Sequence, residues 1–158
     1  MADKTAKQKI LTLATLLCAY PGADTVGQNH IDYPSNVYVL PMVDPLMFPE
    51  DFYISCFRKG IGGIIVMSCG DESLYRGSFE TSAACVQRVH ARMKELGWDT
   101  RRLRMTAICT VCVKAFLKEV NDMDKLLTEL GPIKLTAESQ ANAGPRRPST
   151  VKSELKVE

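Results

Sequence analysis

The chain has 158 residues, 46% of them apolar and 24% charged. That composition suits one globular domain and excludes a wholly disordered chain, which would be poor in apolar residues. A net charge of +2 is too small to make nucleic acid or an anionic membrane the main partner.

The longest apolar stretch, Ile10–Ala19, falls short of the ~20 residues a membrane-spanning helix needs. The N-terminus lacks a signal-peptide cleavage pattern, and no Asn-X-Ser/Thr sequon occurs, so a cytoplasmic location is expected. In such a compartment the six cysteines read as metal ligands, redox thiols or buried small apolar residues rather than structural disulfides.

Residues 1–8 read as a flexible basic tail. Lys9–Leu17 is nearly all apolar after its lysine, as expected of a strand buried on both faces. Cys18 ends it, and Ala19-Tyr20-Pro21-Gly22 reads as a loop before a short helix over Ala23–His30. Asn36–Leu40 reads as a second strand. Pro41–Pro49 holds three prolines and reads as a loop. Glu50–Lys59 follows as a helix stopped by Gly60. Gly63–Ser68, short and apolar, is the third strand. The spacing of Phe79, Ala83, Val86, Val89, Met93 and Leu96 predicts a helix over 78–96, with Ser78 as its N-cap. Leu103–Ile108 is the fourth strand. Phe116, Val120, Met123, Leu127 and Leu130 predict a last helix over 113–130, stopped by Gly131-Pro132. Residues 134–158 lose periodicity and read as a disordered tail.

Strands alternating with helices predict a four-stranded parallel α/β sheet, a small flavodoxin-like three-layer sandwich over residues 9–133. In such sheets ligands lie at the carboxyl ends of the strands. Cys18, Cys69 and Cys109 fall at those ends, and Cys112 follows in a Cys-X-X-Cys pair. A 2-1-3-4 strand order makes the first, third and fourth strands neighbours, so the four thiols converge on one edge. Four converging thiolates can hold an iron–sulfur cluster or zinc. The plainer alternative is that they pack as small apolar residues. A thioredoxin-like dithiol at Cys109/Cys112 is a third reading. Cys56 and Cys85 fall inside helices and read as packing residues.

Other signals are weaker. Gly60-Ile61-Gly62-Gly63 precedes a strand, whereas a dinucleotide fingerprint must follow one. It reads as a helix stop and tight connection. Cys69-Gly70-Asp71-Glu72-Ser73 does follow a strand, but its acidic pair would repel phosphate. His30 and His90 are isolated, and Asp24 and Asp44 read as solvated or capping loop carboxylates. Arg101, Arg102 and Arg104 beside Trp98 form a basic edge, either a solvated turn or a docking patch for an acidic partner.

Several motifs together resemble one family. Cys18-Ala19-Tyr20-Pro21-Gly22-Ala23-Asp24-Thr25-Val26-Gly27 and Tyr33-Pro34-Ser35-Asn36-Val37 are similar to segments of the delta subunit of methyl-viologen-reducing (F420-non-reducing) hydrogenase. So are Phe57–Val66, Ser68-Cys69, Tyr75-Arg76-Gly77, Arg102-Leu103-Arg104 and Glu129-Leu130-Gly131-Pro132. The resemblance implies a small [2Fe–2S] subunit without an active site of its own. Such a subunit passes electrons between a hydrogenase or formate dehydrogenase and a flavin-bearing subunit of heterodisulfide reductase type, in complexes of anaerobes that bifurcate electrons at flavin. Related small subunits occur in class II benzoyl-CoA reductases.

The sequence departs from that family at its cysteines. Thr15 stands where the family's first Cys-X-X-Cys begins, a further family cysteine falls near Asp44, and Asp-Cys-His-Tyr is reduced to Ser73-Leu74-Tyr75. Cys18 and Cys69 match family ligand positions; Cys109 and Cys112 do not. The readings left open are a cluster relocated to Cys18, Cys69, Cys109 and Cys112, a structural zinc there, or a cofactor-free adaptor subunit.

Overall fold

The computed structural model describes residues 7–70, 73, 75–109 and 112–135. The terminal tails at 1–6 and 136–158, and Asp71, Glu72, Leu74, Thr110 and Val111 of the loops singled out above, lie outside the described residues.

Four strands, β1 (Lys9–Thr15), β2 (Val37–Met42), β3 (Ile61–Ser68) and β4 (Leu103–Ala107), form one parallel sheet in the order β2-β1-β3-β4. Helices α1 (Ala19–Gln28) and α4 (Val113–Leu130) cover one face; α2 (Glu50–Arg58) and α3 (Ser78–Glu95) cover the other. Side chains alternate between faces along a strand, which sorts the core into two layers. Ile10, Ala14, Ile65 and Met67 meet Val26 of α1 and Phe116, Val120 and Met123 of α4. Leu13, Ile64, Val66 and Leu103 meet Tyr53, Ile54 and Phe57 of α2 and Val86, Val89 and Met93 of α3. The expected parallel three-layer arrangement is the one observed. No helix among the described residues is long and apolar enough to cross a membrane.

The boundaries differ in instructive ways. β1 ends at Thr15, so Leu16 and Leu17 leave the strand and lie exposed. α1 begins at Ala19 and includes the stretch expected as loop. Pro21 sits in its first turn, where a missing backbone N–H breaks no helical bond. β2 runs through Pro41, tolerated because β2 is an edge strand. β3 begins two residues before the expected Gly63, taking in Ile61 and Gly62 of the connection; the turn itself is made by Gly60 at φ +92°. A Cβ on Gly63 would lie 2.8 Å from Met123 Sδ, so glycine there lets α4 approach the sheet closely. The N-cap of α3 is Gly77, not Ser78; Ser78 is the first helical residue.

Arg102 is only 4% exposed. Its guanidinium donates to the carbonyls of Gly62 and Gly131 and to the side chain of Gln8, tying the starts of β1 and β3 to the end of α4. Ile133 and Leu135 pack on the α2–α3 layer.

Candidate functional site

The chain crosses from β1 to β2 in one direction and from β3 to β4 in the other. The order therefore reverses between β1 and β3, the switch point beside which open α/β sheets bind ligands. Cys18 stands just after β1 and Cys69 just after β3, on either side of that switch point. Their Cα atoms are 5.5 Å apart and their sulfurs are joined as a disulfide, a separation ordinary for such a bond. Cys109 and Cys112, after β4, form a second disulfide with the same Cα separation of 5.5 Å. Cysteines read as metal ligands, redox thiols or packing residues rather than structural disulfides are thus joined in twos at the strand ends.

The two pairs share a plan. Cys18 is the N-cap of α1 and Cys112 the N-cap of α4. Neither helix has a side-chain cap hydrogen bond, and neither has an acidic residue in its first turn. α1 and α4 pack together on one face of the sheet, and both follow parallel strands. Both N-termini therefore lie at the carboxyl end of the sheet, where the helix dipole favours negative charge. The pairs differ in access. Cys18 is 4% exposed and Cys69 half-buried; Cys109 is exposed and Cys112 half-buried.

The positions where the resemblance places further cysteines have other partners. The buried Thr15 hydroxyl lies 3.4 Å from Cys69 Sγ. Asp44 caps the short turn Pro45–Met47, accepting the Leu46 N–H at 2.8 Å, and accepts the Ser78 hydroxyl at 2.5 Å. Its carboxylate is thereby committed to structure. Asp-Pro before a turn is a capping signal, but Ser78 lies 34 residues on and could not be read locally.

An iron–sulfur cluster or a structural zinc takes about four soft donors at one place. The donors are present but come in twos: among the described residues no three His, Cys, Asp or Glu side chains form a metal-binding group. As placed, the four thiols stand as two pairs and not as one four-ligand group.

Elsewhere, Cys56 and Cys85 are free and half-buried against the α2–α3 layer, with burial pushing both thiols up from their ordinary value. His90 Nε2 lies 2.9 Å from the Leu103 carbonyl oxygen, a structural contact. The basic edge is neutralised internally: Arg101 pairs with Asp99, Arg104 lies 4.0 Å from Glu119, and Arg102 is buried. The exposed apolar side chains Leu16, Leu17, Val43, Leu46, Met47 and Tyr75 instead gather on the loops after β1, β2 and β3. Four of them and Asp44 line a groove of about 300 Å³.

The chain is 30% identical over 118 residues, 73% of its length, to the A chain of the ferredoxin/F(420)H(2)-dependent CoB-CoM heterodisulfide reductase of Methanosarcina acetivorans. That match spans only 15% of the relative, as does the similar one in Methanosarcina mazei. It is 26% identical over 127 residues to the iron-sulfur subunit of the F420-non-reducing hydrogenase of Archaeoglobus profundus, covering 79% of this chain and 92% of that one. The profile of the family described as methyl-viologen-reducing hydrogenase, delta subunit, matches residues 10–131. The match runs from the second residue of β1 to just past the end of α4, and the chain belongs to the methyl-viologen-reducing hydrogenase delta-subunit family.

Proposed function

We propose that this chain is the small redox subunit of a complex joining a hydrogenase- or formate dehydrogenase-type module to a flavin-bearing, heterodisulfide reductase-type subunit, and that it relays electrons between them. The observation that carries this reading is the Cys18–Cys69 pair across the sheet's reversal point, in a chain of the delta-subunit family. The relatives support it. One is named an iron–sulfur subunit of a hydrogenase, and two others hold the matching stretch inside a much longer heterodisulfide reductase chain. A domain of this kind is thus covalently joined to such a chain in those proteins.

Cys18, Cys69, Cys109 and Cys112 are the residues proposed to carry the redox centre. β1, β3 and β4 set them at one end of the sheet, and the α1 and α4 N-termini favour the anionic thiolates there. For an iron–sulfur cluster, the group the family implies, both disulfides must open and the two pairs must close on one centre. A second reading, a cofactor-free adaptor for such complexes, including those of benzoyl-CoA reductase type, is favoured by the apolar side chains exposed at the same end.

Iron and labile sulfide content of the anaerobically isolated chain, with its visible spectrum, tests the centre. A cluster gives stoichiometric iron and sulfide and a visible band. The band disappears in Cys109→Ser or Cys112→Ser and persists in Cys56→Ser and Cys85→Ser. Iron-free protein that still assembles into an active complex overturns the cluster. If activity also survives Cys109→Ser and Cys112→Ser, the adaptor stands.

A further inference from the structure

We infer that the Cys109–Cys112 pair is a thiol–disulfide exchange site that takes two electrons at a time from a dithiol. The inference rests on the pair's own placement and applies to the chain with no cluster bound at these two thiols.

Three observations carry it. The two cysteines are joined as a disulfide at the mouth of a βα unit, not inside a helix or beneath one. Their access is unequal: Cys109 is exposed, while Cys112 is half-buried against the α1–α4 core. Cys112 is also the N-cap of α4, where no side chain supplies a capping bond and no acidic residue lies in the helix's first turn. Exchange requires an attackable sulfur and a partner that leaves well as thiolate. Cys109 offers the first. Cys112 offers the second, because a thiolate at a helix N-terminus is stabilised by the free backbone N–H groups of the first turn.

The step balances. A thiolate of the incoming dithiol attacks Cys109 Sγ, the Cys109–Cys112 bond breaks, and its electron pair goes to Cys112. The donor's second thiol then attacks the mixed disulfide and releases Cys109. The donor ends as a disulfide and the chain as a dithiol, with two electrons and two protons transferred. The Cys18–Cys69 pair is the internal comparison: Cys18 is also an N-cap, but its partner Cys69 is half-buried where Cys109 is exposed.

The test uses the full chain, freed of iron and fully reduced, under anoxic conditions. It is mixed with glutathione disulfide, quenched by alkylation at intervals, and read peptide by peptide by mass. The expected result is that Cys109 and Cys112 oxidise together, at least about tenfold faster than Cys18 and Cys69, and hold no lasting glutathione adduct. Dithiothreitol returns them to the dithiol with the same preference. In Cys112→Ser, with the resolving thiol gone, glutathione stays attached to Cys109. The inference is overturned if the wild-type pair stays reduced, keeps a stable adduct, or exchanges no faster than Cys18–Cys69. Those wild-type arms need no variant. A chain that passes yet is found only as a free monomer keeps the exchange site and loses the relay. One that fails while transferring electrons inside a complex does the reverse.

Discussion

The Ser78 hydroxyl donates to the Asp44 carboxylate at 2.5 Å, in a buried position that ties the loop after β2 to the first turn of α3. The other oxygen of Asp44 caps the turn that leads into α2. One carboxylate thus fixes two loops, near the position where the family resemblance places a cysteine. Ser78→Ala should cost about 1–2 kcal/mol, because an ordinary hydrogen bond is lost. Asp44→Ala should cost more, about 2–4 kcal/mol, since it leaves both a buried hydroxyl and a backbone N–H without an acceptor. Urea denaturation of the two variants measures the order.

Two glycines should respond to alanine in opposite directions. A Cβ on Gly63 collides with Met123 and Leu127 of α4, so Gly63→Ala should destabilise by about 1–3 kcal/mol as α4 is pushed off the sheet. Gly27 lies in α1 with nothing within 4 Å of an added Cβ. Gly27→Ala should raise stability by up to about 1 kcal/mol, because alanine loses less conformational freedom in a helix. The two denaturation midpoints check the sign of each.

Arg102 is held by carbonyls rather than by a carboxylate. Burial pulls its guanidinium below the ordinary value, yet arginine stays charged in proteins, so the three acceptors around it carry the compensation. Arg102→Ala should therefore cost about 2–4 kcal/mol, leaving those carbonyls unpaired. Arg102→Lys should recover only part of it, since one ammonium cannot span Gly62 and Gly131 as the forked guanidinium does. Thermal unfolding of the pair of variants separates these outcomes.

Alkaline pH should weaken the fold through the α2–α3 layer. Burial pushes the Cys56 and Cys85 thiols above their ordinary value and drives the Tyr53 phenol well above its own. All three are neutral when protonated. Above the ordinary thiol value the unfolded chain gives up protons that the folded chain keeps, so stability falls as pH rises from there. Denaturation between about pH 7 and pH 10 should show this decline, with Tyr53 extending it further. The double variant Cys56→Ala, Cys85→Ala should show a shallower slope, and an unchanged slope would assign the decline to other groups.

Much of the fold was legible because its signals are local and periodic. The stripe from Phe116 to Leu130 marks α4, and the apolar run before Cys69 marks β3. With a 2-1-3-4 order, the cysteines at the strand ends followed at once. Their pairing did not, because it depends on the paths of loops whose residues carry no period. Starting α1 at Ala19 draws Cys18 into an N-cap, and Pro21 argued locally for a loop even though the first turn of a helix accepts it. Arg102 read as surface charge beside Arg101 and Arg104 because its acceptors lie 40 residues before it and 29 after. The same distance hid the bond from Ser78 to Asp44.

A subunit of a redox assembly is recovered with its partners. Native mass spectrometry of the tagged full chain, isolated without oxygen from the organism that makes it, tests that most directly. The expected result is the chain bound to a flavin-containing, heterodisulfide reductase-type subunit. Recovery of the chain only as a free monomer at its own mass would contradict it.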